Sequence, residues 1–292
     1  MTLDNAFVRS ADKKWNSFYG EDMSSQPETF FKYERFSVQS LQNLKKQSVF
    51  FAAPHRFNDP YDCTIAARFD EPSDDEIERL RNYYRSRPDV PSNACEELEA
   101  LDTQALKKYL KGIIGRTVEQ NITRYLSGIG VCCFSECVDD LLLWAHYCEG
   151  FRGYCLEFRS RYFAKARPVS YVEEVPRLNL CAMIIENDYS QLLDLYCTKA
   201  RAWHYEKEWR AFHRDADTLF TYEADALKGI YFGPKMDEQT IEILCLVLAG
   251  QNPNAELWRV KQRPDRFALE CERVQYTSLV DAHRRGQIPP KS

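Results

Sequence analysis

The sequence lacks the short motifs that accompany the commonest enzyme chemistries. It has no P-loop, no G-x-G-x-x-G loop, no H-E-x-x-H zinc motif, no G-x-S-x-G nucleophile turn and no C-x-x-C pair. Because no glycine-rich turn links a strand to a helix, nothing predicts the backbone cradle that holds a pyrophosphate in doubly wound folds. Function therefore has to be inferred from clusters of side chains.

Charge and hydropathy argue against two further classes of partner. The formal net charge of the 292 residues is −5, so no general basic field attracts nucleic acid or anionic membrane. No apolar run approaches the roughly 20 residues that span a bilayer, and the first residues lack the pattern of a secretory signal. Eleven cysteines without framework spacing are typical of reduced thiols. The sequence thus predicts a cytoplasmic protein with no membrane partner.

The order of predicted elements favours an α+β fold with mixed or antiparallel sheets. A strand in TFFKYERFS precedes a short helix that Ser37 caps, with Val38, Leu41 and Leu44 on one face. After Gly128, strand-like segments return and alternate with short helices, and apolar or alternating runs such as EILCLVLAG and ELWRVKQ end the chain. Short strands with helices grouped between them indicate α+β rather than a parallel α/β sheet.

A charged helical block interrupts this pattern at residues 71–127. Ser73 and Glu76 have the spacing of a capping box, and Thr103 can cap a longer helix that continues towards residue 126. We therefore predict a single α+β domain over residues 1–292 that contains 71–127 as a helical insertion.

One set of residues could be taken for a zinc site or a nucleophile pair. Cys132, Cys133, Cys137 and His146 lie close in sequence, but adjacent cysteines point to opposite faces of a strand, which is poor geometry for tetrahedral zinc. Cys148 and His146 are two residues apart on a predicted helix and do not face each other. Buried thiols without a metal are the favoured interpretation.

Two segments place polar side chains at turns and helix ends. Asn58 and Asp59 precede a proline, which predicts a local turn through side-chain-to-backbone bonds; the alternative is that one of them reaches into a cleft. In LLLWAHYCEG, Trp144 is predicted to pack in the core, whereas His146 and Tyr147 point elsewhere. A lone histidine is more often structural than functional.

The segment KARAWHYEKEWRAF, Lys199 to Phe212, carries two Trp, a Tyr, a His and two Glu. Interpreted as one strand, it alternates between Trp203, Tyr205, Lys207, Trp209 and Ala211 on one face and His204, Glu206, Glu208, Arg210 and Phe212 on the other. The charges either pair in water, where each pair is worth about 0–1 kcal/mol, or line a cleft. Because carboxylates among aromatic rings are partly desolvated, we favour the cleft.

Ordered segments of the chain resemble a bacterial family known only as domain of unknown function 2971. They are FFKYERFS, FAAPHRFNDPYD, CFSECVDDLLLWAHYCEGFRGYCLEF, KARAWHYEKEWRAF and IYFG. The resemblance covers about residues 30–235 and implies no established activity.

The order of strands and the late E-x-E also resemble ADP-ribosyltransferases, which implies a split sheet and NAD as the substrate. By this resemblance Glu208 would be the transition-state carboxylate, and Glu206 would orient or deprotonate the acceptor. Tyr33 or Arg35 would hold NAD, with Asn58 and Asp59 lining the cleft. The remaining candidate NAD-binding residues are Trp144, His146, Tyr147, Lys199, Trp203, Tyr205 and Arg210.

The leading hypothesis is an NAD-consuming ADP-ribosyltransferase-like enzyme or NAD glycohydrolase that acts as a bacterial toxin or phage-defence effector. Its partners would be an acceptor macromolecule and a neutralising or defence-system protein. The alternative is a non-catalytic module of a defence system that senses a nucleotide or binds a protein. A nuclease is less favoured: Asp59, Glu206 and Glu208 could hold Mg²⁺, but an acidic chain is an awkward host for a polyanion.

Overall fold

The structure, a computed structural model, describes residues 26–63, 68–88, 92–114, 127–186 and 190–278, with 282, 285 and 286. The chain divides into two compact units. Among the described residues, unit one takes those within 53–129 and 170–201, and unit two takes those within 26–52, 130–169 and 202–286. No described helix is long and apolar enough to cross a membrane.

The described residues have an α+β fold. Their strands are β1 (Thr29–Glu34), β2 (Ser48–Phe51), β3 (Arg68–Phe69), β4 (Gly130–Ser135), β5 (Tyr154–Arg159), β6 (Arg167–Pro168), β7 (Ser170–Val172), β8 (Arg177–Leu178), β9 (Thr198–Ala200), β10 (Glu208–His213), β11 (Thr218–Thr221), β12 (Leu227–Phe232), β13 (Glu256–Gln262) and β14 (Leu269–Val274).

The α-helices of the described residues are α1 (Val38–Lys45), α2 (Asp74–Arg85), α3 (Ser92–Ala100), α4 (Thr103–Tyr109), α5 (Leu141–Tyr147), α6 (Leu180–Glu186), α7 (Ser190–Tyr196) and α8 (Glu238–Gln251). Short 3₁₀ turns occupy Pro54–Arg56, Ser160–Phe163, Arg201–Glu206 and Ala224–Ala226, and a π turn extends α4 over Leu110–Ile114.

Unit two is built on an eight-stranded sheet in the order β14-β13-β12-β5-β1-β4-β10-β6. All neighbours in it are antiparallel except β12 and β13, so the sheet is mixed and mostly antiparallel, as the sequence predicts. β2 and β11 form a separate antiparallel pair.

The eight-stranded sheet is nearly divided between β1 and β4. β1 pairs with β5 at all six of its residues, but it pairs with β4 only at Phe31 and Ser135. On its other side β4 pairs with β10 at six positions, of which Glu208 opposite Ser135 is the first. Two well-paired half-sheets therefore meet at a single residue pair, and Glu208 stands beside that pair.

The two faces of this sheet bury different side chains because successive residues of a strand point in opposite directions. Phe30 packs with Phe134, at 5.4 Å between ring centroids, in a cluster that the inner face of α8 completes. On the other face, Trp144 of α5 joins a second cluster with Tyr231. Each large side chain so buried stabilises the fold by about 1.5–3 kcal/mol.

Helix starts follow the predicted capping residues in two of three cases. The Ser37 hydroxyl accepts from the Ser40 amide, and Ser73 exchanges bonds with Glu76 as a capping box, so both predictions are confirmed. Thr103 is not a cap, because Asp102 accepts from the Ala105 amide at 2.7 Å and α4 starts at Thr103. The predicted continuation of that helix over 115–126 lies outside the described residues.

Unit one contains most of the predicted helical insertion. Its described elements include α2, α3 and α4 together with α6, α7 and the parallel strand pairs β3–β8 and β7–β9. Besides residues of 71–127, it therefore includes the segments 53–63 and 170–201.

Candidate functional site

The segment from Lys199 to Phe212 is not one strand, so the prediction of two alternating faces along it is wrong. Strand β9 ends at Ala200, a 3₁₀ turn occupies Arg201–Glu206, and β10 begins only at Glu208. Lys207 joins the turn to β10 in the left-handed region, at φ 42°. This conformation is uncommon for a residue other than glycine. The predicted alternation is therefore correct only for β10.

Glu208 and Arg210 form a buried bidentate ion pair on one face of β10. The Arg210 Nε donates to Glu208 Oε1 at 2.7 Å, and its Nη2 donates to Oε2 at 3.0 Å. The exposed fractions are 5% for Glu208 and 0% for Arg210. Both carboxylate oxygens are thus held by one planar guanidinium, the strongest common geometry for a carboxylate. Arg210, a predicted NAD-binding residue, contacts the predicted catalytic glutamate.

Glu206, the second predicted catalytic residue, is buried at the end of the 3₁₀ turn. Its Oε1 accepts a hydrogen bond of 2.8 Å from the Tyr147 hydroxyl at the end of α5. Tyr147, another predicted site residue, therefore lies directly against the carboxylate. The two glutamates have different partners, a phenol for Glu206 and a guanidinium for Glu208.

Ser135 holds the bend between the two glutamates, and the sequence did not identify it. Its hydroxyl donates to the Glu206 carbonyl oxygen at 2.6 Å and accepts from the Cys137 amide at 3.0 Å. The Glu136 amide donates to the Lys207 carbonyl oxygen at 3.2 Å. The end of β4 therefore fixes the backbone of the E-x-E segment.

Tyr147, whose hydroxyl bonds the Glu206 carboxylate, is the first of four aromatic rings that contact one another in series. Trp203 stands 6.1 Å from His146 and 6.0 Å from Tyr205 between ring centroids, and His146 stands 6.4 Å from Tyr147. His146 is exposed and the other three rings are partly exposed. A flat ligand could stack on such rings, with edge-on or cation–π contacts at these distances.

Tyr33 and Trp144 pack edge to face, at 5.4 Å between ring centroids, whereas Arg35 lies at the surface. The Tyr33 hydroxyl donates to the Cys137 carbonyl oxygen at 2.8 Å, and burial raises the pKa of Tyr33 well above its usual range. Trp144 is fully buried, and its indole donates to the Val138 carbonyl oxygen at 2.6 Å. It is a core residue, as its helical spacing predicts, and ligand contact would require it to move. Arg35 is exposed immediately after β1.

The other three predicted site residues belong to unit one. Asn58 is exposed, and Asp59 is buried with its Oδ1 accepting from the Tyr61 amide at 2.9 Å, the local turn that the sequence predicts. Lys199 is buried and forms an ion pair of 3.3 Å with Asp62. These two contacts lie within unit one, whereas the residues of the site described above belong to unit two.

The described residues contain no group of three or more His, Cys, Asp or Glu side chains placed to hold a metal ion. All eleven cysteines are free thiols. Burial raises the pKa of Cys132, and it also raises that of Cys137, where Lys207 acts in the opposite direction. No protein-family model, curated protein or solved structure matches the chain.

Proposed function

We propose that the protein consumes NAD at the Glu206–Glu208 site, as an ADP-ribosyltransferase or an NAD glycohydrolase. One observation carries the proposal: two buried carboxylates with different partners flank a bend, next to partly exposed aromatic rings and to the single pair that joins the half-sheets. The divided sheet supports the remote resemblance to ADP-ribosyltransferases, whose fold has a split sheet.

The residue types suit cleavage of the nicotinamide–ribose bond. As that bond breaks, its electron pair leaves with nicotinamide, and positive charge develops on the ribose. Glu208 is the carboxylate that stabilises this charge. Because Arg210 fixes both of its oxygens, the carboxylate needs no reorientation during the reaction. The Arg210 guanidinium also neutralises part of the Glu208 charge. Glu208 therefore acts on the transition state mainly through the fixed orientation of its carboxylate.

Glu206 is assigned to the acceptor. A hydroxyl, amine or water that attacks the ribose carbon loses a proton, and the Glu206 carboxylate can accept it once the Tyr147 hydroxyl yields its place. The rings of Trp203, Tyr205 and His146 are the surface on which the nicotinamide, a flat cationic ring, can stack. Consumption of NAD in this way fits a bacterial toxin or phage-defence effector.

The test is release of nicotinamide from NAD by the purified protein, with and without bacterial lysate as a source of acceptors. Glu208→Gln is expected to lower the release at least about a hundredfold. Glu206→Gln is expected to reduce transfer to an acceptor more than it reduces binding of NAD. The matched control is Glu272→Gln, an exposed glutamate of β14, which should leave release unchanged. Wild-type protein that is folded but releases nothing contradicts the proposal.

A second candidate function is a nucleotide sensor without turnover. The complete burial of Arg210 favours this function. A Glu208 carboxylate that a buried guanidinium already neutralises can be purely structural, and then it would not catalyse turnover. This function predicts that NAD or another nucleotide raises the melting temperature while no nicotinamide is released. It also predicts that Trp203→Ala abolishes the shift, whereas Glu206→Gln leaves it in place.

A further inference from the structure

Glu136, the residue after β4, contacts both residues that flank Glu208. Its backbone amide donates to the Lys207 carbonyl oxygen at 3.2 Å. Its side-chain Oε1 accepts a hydrogen bond of 2.7 Å from the indole Nε1 of Trp209. Lys207 and Trp209 immediately precede and follow Glu208 in the chain. A single residue therefore holds the chain on both sides of Glu208, once through its main chain and once through its side chain.

The pairing of β4 with β10 explains how Glu136 reaches both residues. Ser135 lies opposite Glu208, so the next residue along, Glu136, comes opposite Lys207. Trp209 is then the diagonal neighbour of Glu136, and an aromatic side chain can span a diagonal pair. Because successive residues of a strand point to opposite faces, the Trp209 ring and the Glu208 carboxylate lie on different faces of β10. Glu136 therefore acts on this segment from the face opposite the carboxylate.

The Trp209 ring is fixed in the core of unit two. Its exposed fraction is 4%, and it packs on Phe30 of β1 at 5.4 Å between ring centroids. Phe30 also packs on Phe134 of β4, so this cluster joins the two half-sheets on one face. The indole nitrogen of a buried tryptophan requires a hydrogen-bond partner, and the exposed Glu136 supplies it. The bond therefore ties the end of β4 to a ring that cannot move freely.

We propose that Glu136 is a positioning residue for the reaction, which holds the backbone of residues 207–209 so that the Glu208 carboxylate stays aligned with the substrate. Lys207 is left-handed, at φ 42°, a conformation that surrounding contacts have to maintain. Arg210 orients the carboxylate itself, whereas Glu136 orients the main chain that carries it. A misplacement of about 1 Å can lower a rate about a hundredfold. The inference rests on the proposed NAD chemistry at Glu208.

The first experiment measures nicotinamide release by Glu136→Ala and Glu136→Gln. Alanine removes the acceptor of the indole bond but keeps the backbone bond, so kcat should fall about 10- to 100-fold with little change in KM. Glutamine keeps an acceptor oxygen and should restore most of the activity. The control is Glu272→Ala, which changes an exposed glutamate of β14 and should leave kcat unchanged. Circular dichroism and the melting temperature verify folding.

Two kinetic results overturn the inference. One is a Glu136→Ala protein that releases nicotinamide with the kcat of the wild type. The other is a Glu136→Gln protein as slow as Glu136→Ala, because the effect would then belong to the charge of the carboxylate and not to its bond with the indole.

The second experiment tests whether Glu136 acts through Trp209. Trp209→Phe removes the indole donor and keeps an aromatic ring in the core, so it should also lower kcat. Glu136→Ala should then cause no further fall in the Trp209→Phe background, because the bond is already absent. The assays are run at a temperature where all the variants are folded. A further fall as large as that of Glu136→Ala alone would show that the two residues act independently and would overturn the inference.

Hydrogen exchange followed by mass spectrometry separates this inference from the proposed function. If Glu136 holds the segment, Glu136→Ala should speed exchange several-fold in peptides that contain residues 207–210 and leave peptides from β5 unchanged. Normal nicotinamide release by the wild type, with no change of local exchange in the variant, contradicts the role of Glu136 alone. Faster local exchange in the variant, with no release by the wild type, contradicts the proposed function and leaves Glu136 as a structural contact.

Discussion

Two regions of the same sheet bury carboxylates in different surroundings. Glu157 on β5 accepts from Lys228 Nζ at 2.8 Å and from the Tyr231 hydroxyl at 3.0 Å, and its exposed fraction is 3%. Glu208 on β10 is buried to a similar degree and is held by Arg210. Both carboxylates are therefore buried and bonded to a cation, an ammonium for Glu157 and a guanidinium for Glu208.

What differs is the backbone around them. β5 is paired with β1 at all six of its residues, so Glu157 lies inside a fully paired strand, although β12 has a register shift at Lys228 opposite it. Glu208 follows a left-handed residue, begins its strand, and stands beside the single pair between β1 and β4. The partly exposed Tyr147 bonds Glu206 only two residues away, and the rings of His146, Trp203 and Tyr205 follow it. A buried charge pair can be purely structural. The left-handed residue, the interrupted strand pairing and these rings are what favour a functional role at Glu208.

Removal of Arg210 should have the largest effect on stability. Arg210→Met leaves the buried Glu208 carboxylate without its guanidinium, which is expected to lower the free energy of unfolding by about 3–5 kcal/mol. The double variant Glu208→Gln with Arg210→Met should recover most of that loss, because the buried charge is gone. Urea denaturation of the wild type and the three variants measures the coupling. Equal losses in the Arg210 single and double variants would mean that the ion pair does not determine the stability.

Glu157→Gln separates the two carboxylates by function. We expect it to lower the free energy of unfolding by about 1–2 kcal/mol, because the partly buried bond to Lys228 loses its charge. Nicotinamide release should be unchanged if the activity belongs to the E-x-E segment. The comparison is run at a temperature where both Glu157→Gln and Glu208→Gln are folded. If Glu157→Gln and Glu208→Gln lowered nicotinamide release equally, the activity would not be specific to the E-x-E segment.

Ser135→Ala tests whether the end of β4 positions the E-x-E segment. The hydroxyl makes one buried and one partly buried bond, so its removal is expected to cost about 1–2 kcal/mol of stability. If Ser135 orients Glu206, kcat should fall with little change in KM, and Ser135→Thr should restore part of the activity. A stability loss with unchanged kcat would restrict Ser135 to a structural role.

The sequence predicts regular elements well because their signals are local. The α+β class follows from short strands and helices, and the caps at Ser37 and Ser73 follow from residues three apart. Local signals also mislead. Val38 is predicted to share a face of α1 with Leu41 and Leu44, yet at the first position of the helix it is 75% exposed whereas Leu44 is buried. The apolar run EILCLVLAG is part of α8 and not a strand, a distinction that periodicity alone cannot make for short runs.

The site itself was predicted only in part because its geometry is not local. The sequence identifies Glu206, Glu208 and their aromatic neighbours by composition, but period-two alternation cannot reveal a 3₁₀ turn followed by a left-handed Lys207. Ser135 was missed because one serine at the end of a buried strand carries no signal, and the Glu206 carbonyl that it binds is 71 residues away. The division of the sheet beside Glu208 is likewise a property of strand pairing, which no single segment encodes.

The smallest expected effect concerns two cysteine thiols that lie outside the E-x-E segment. Burial raises the pKa of Cys271 on β14 to about 11 and that of Cys245 on α8 to about 12. In the unfolded chain a cysteine titrates at about 8.5, so above that pH the unfolded state binds fewer protons than the folded state. The stability that these thiols contribute is therefore complete below about pH 8.5 and declines as the pH rises towards their folded values. Denaturation between pH 8 and 11 should show this decline, and Cys245→Ala should make it shallower. A variant with the same slope as the wild type would assign the pH dependence to other groups, whereas a shallower slope would place part of it at Cys245 of α8, away from the E-x-E segment.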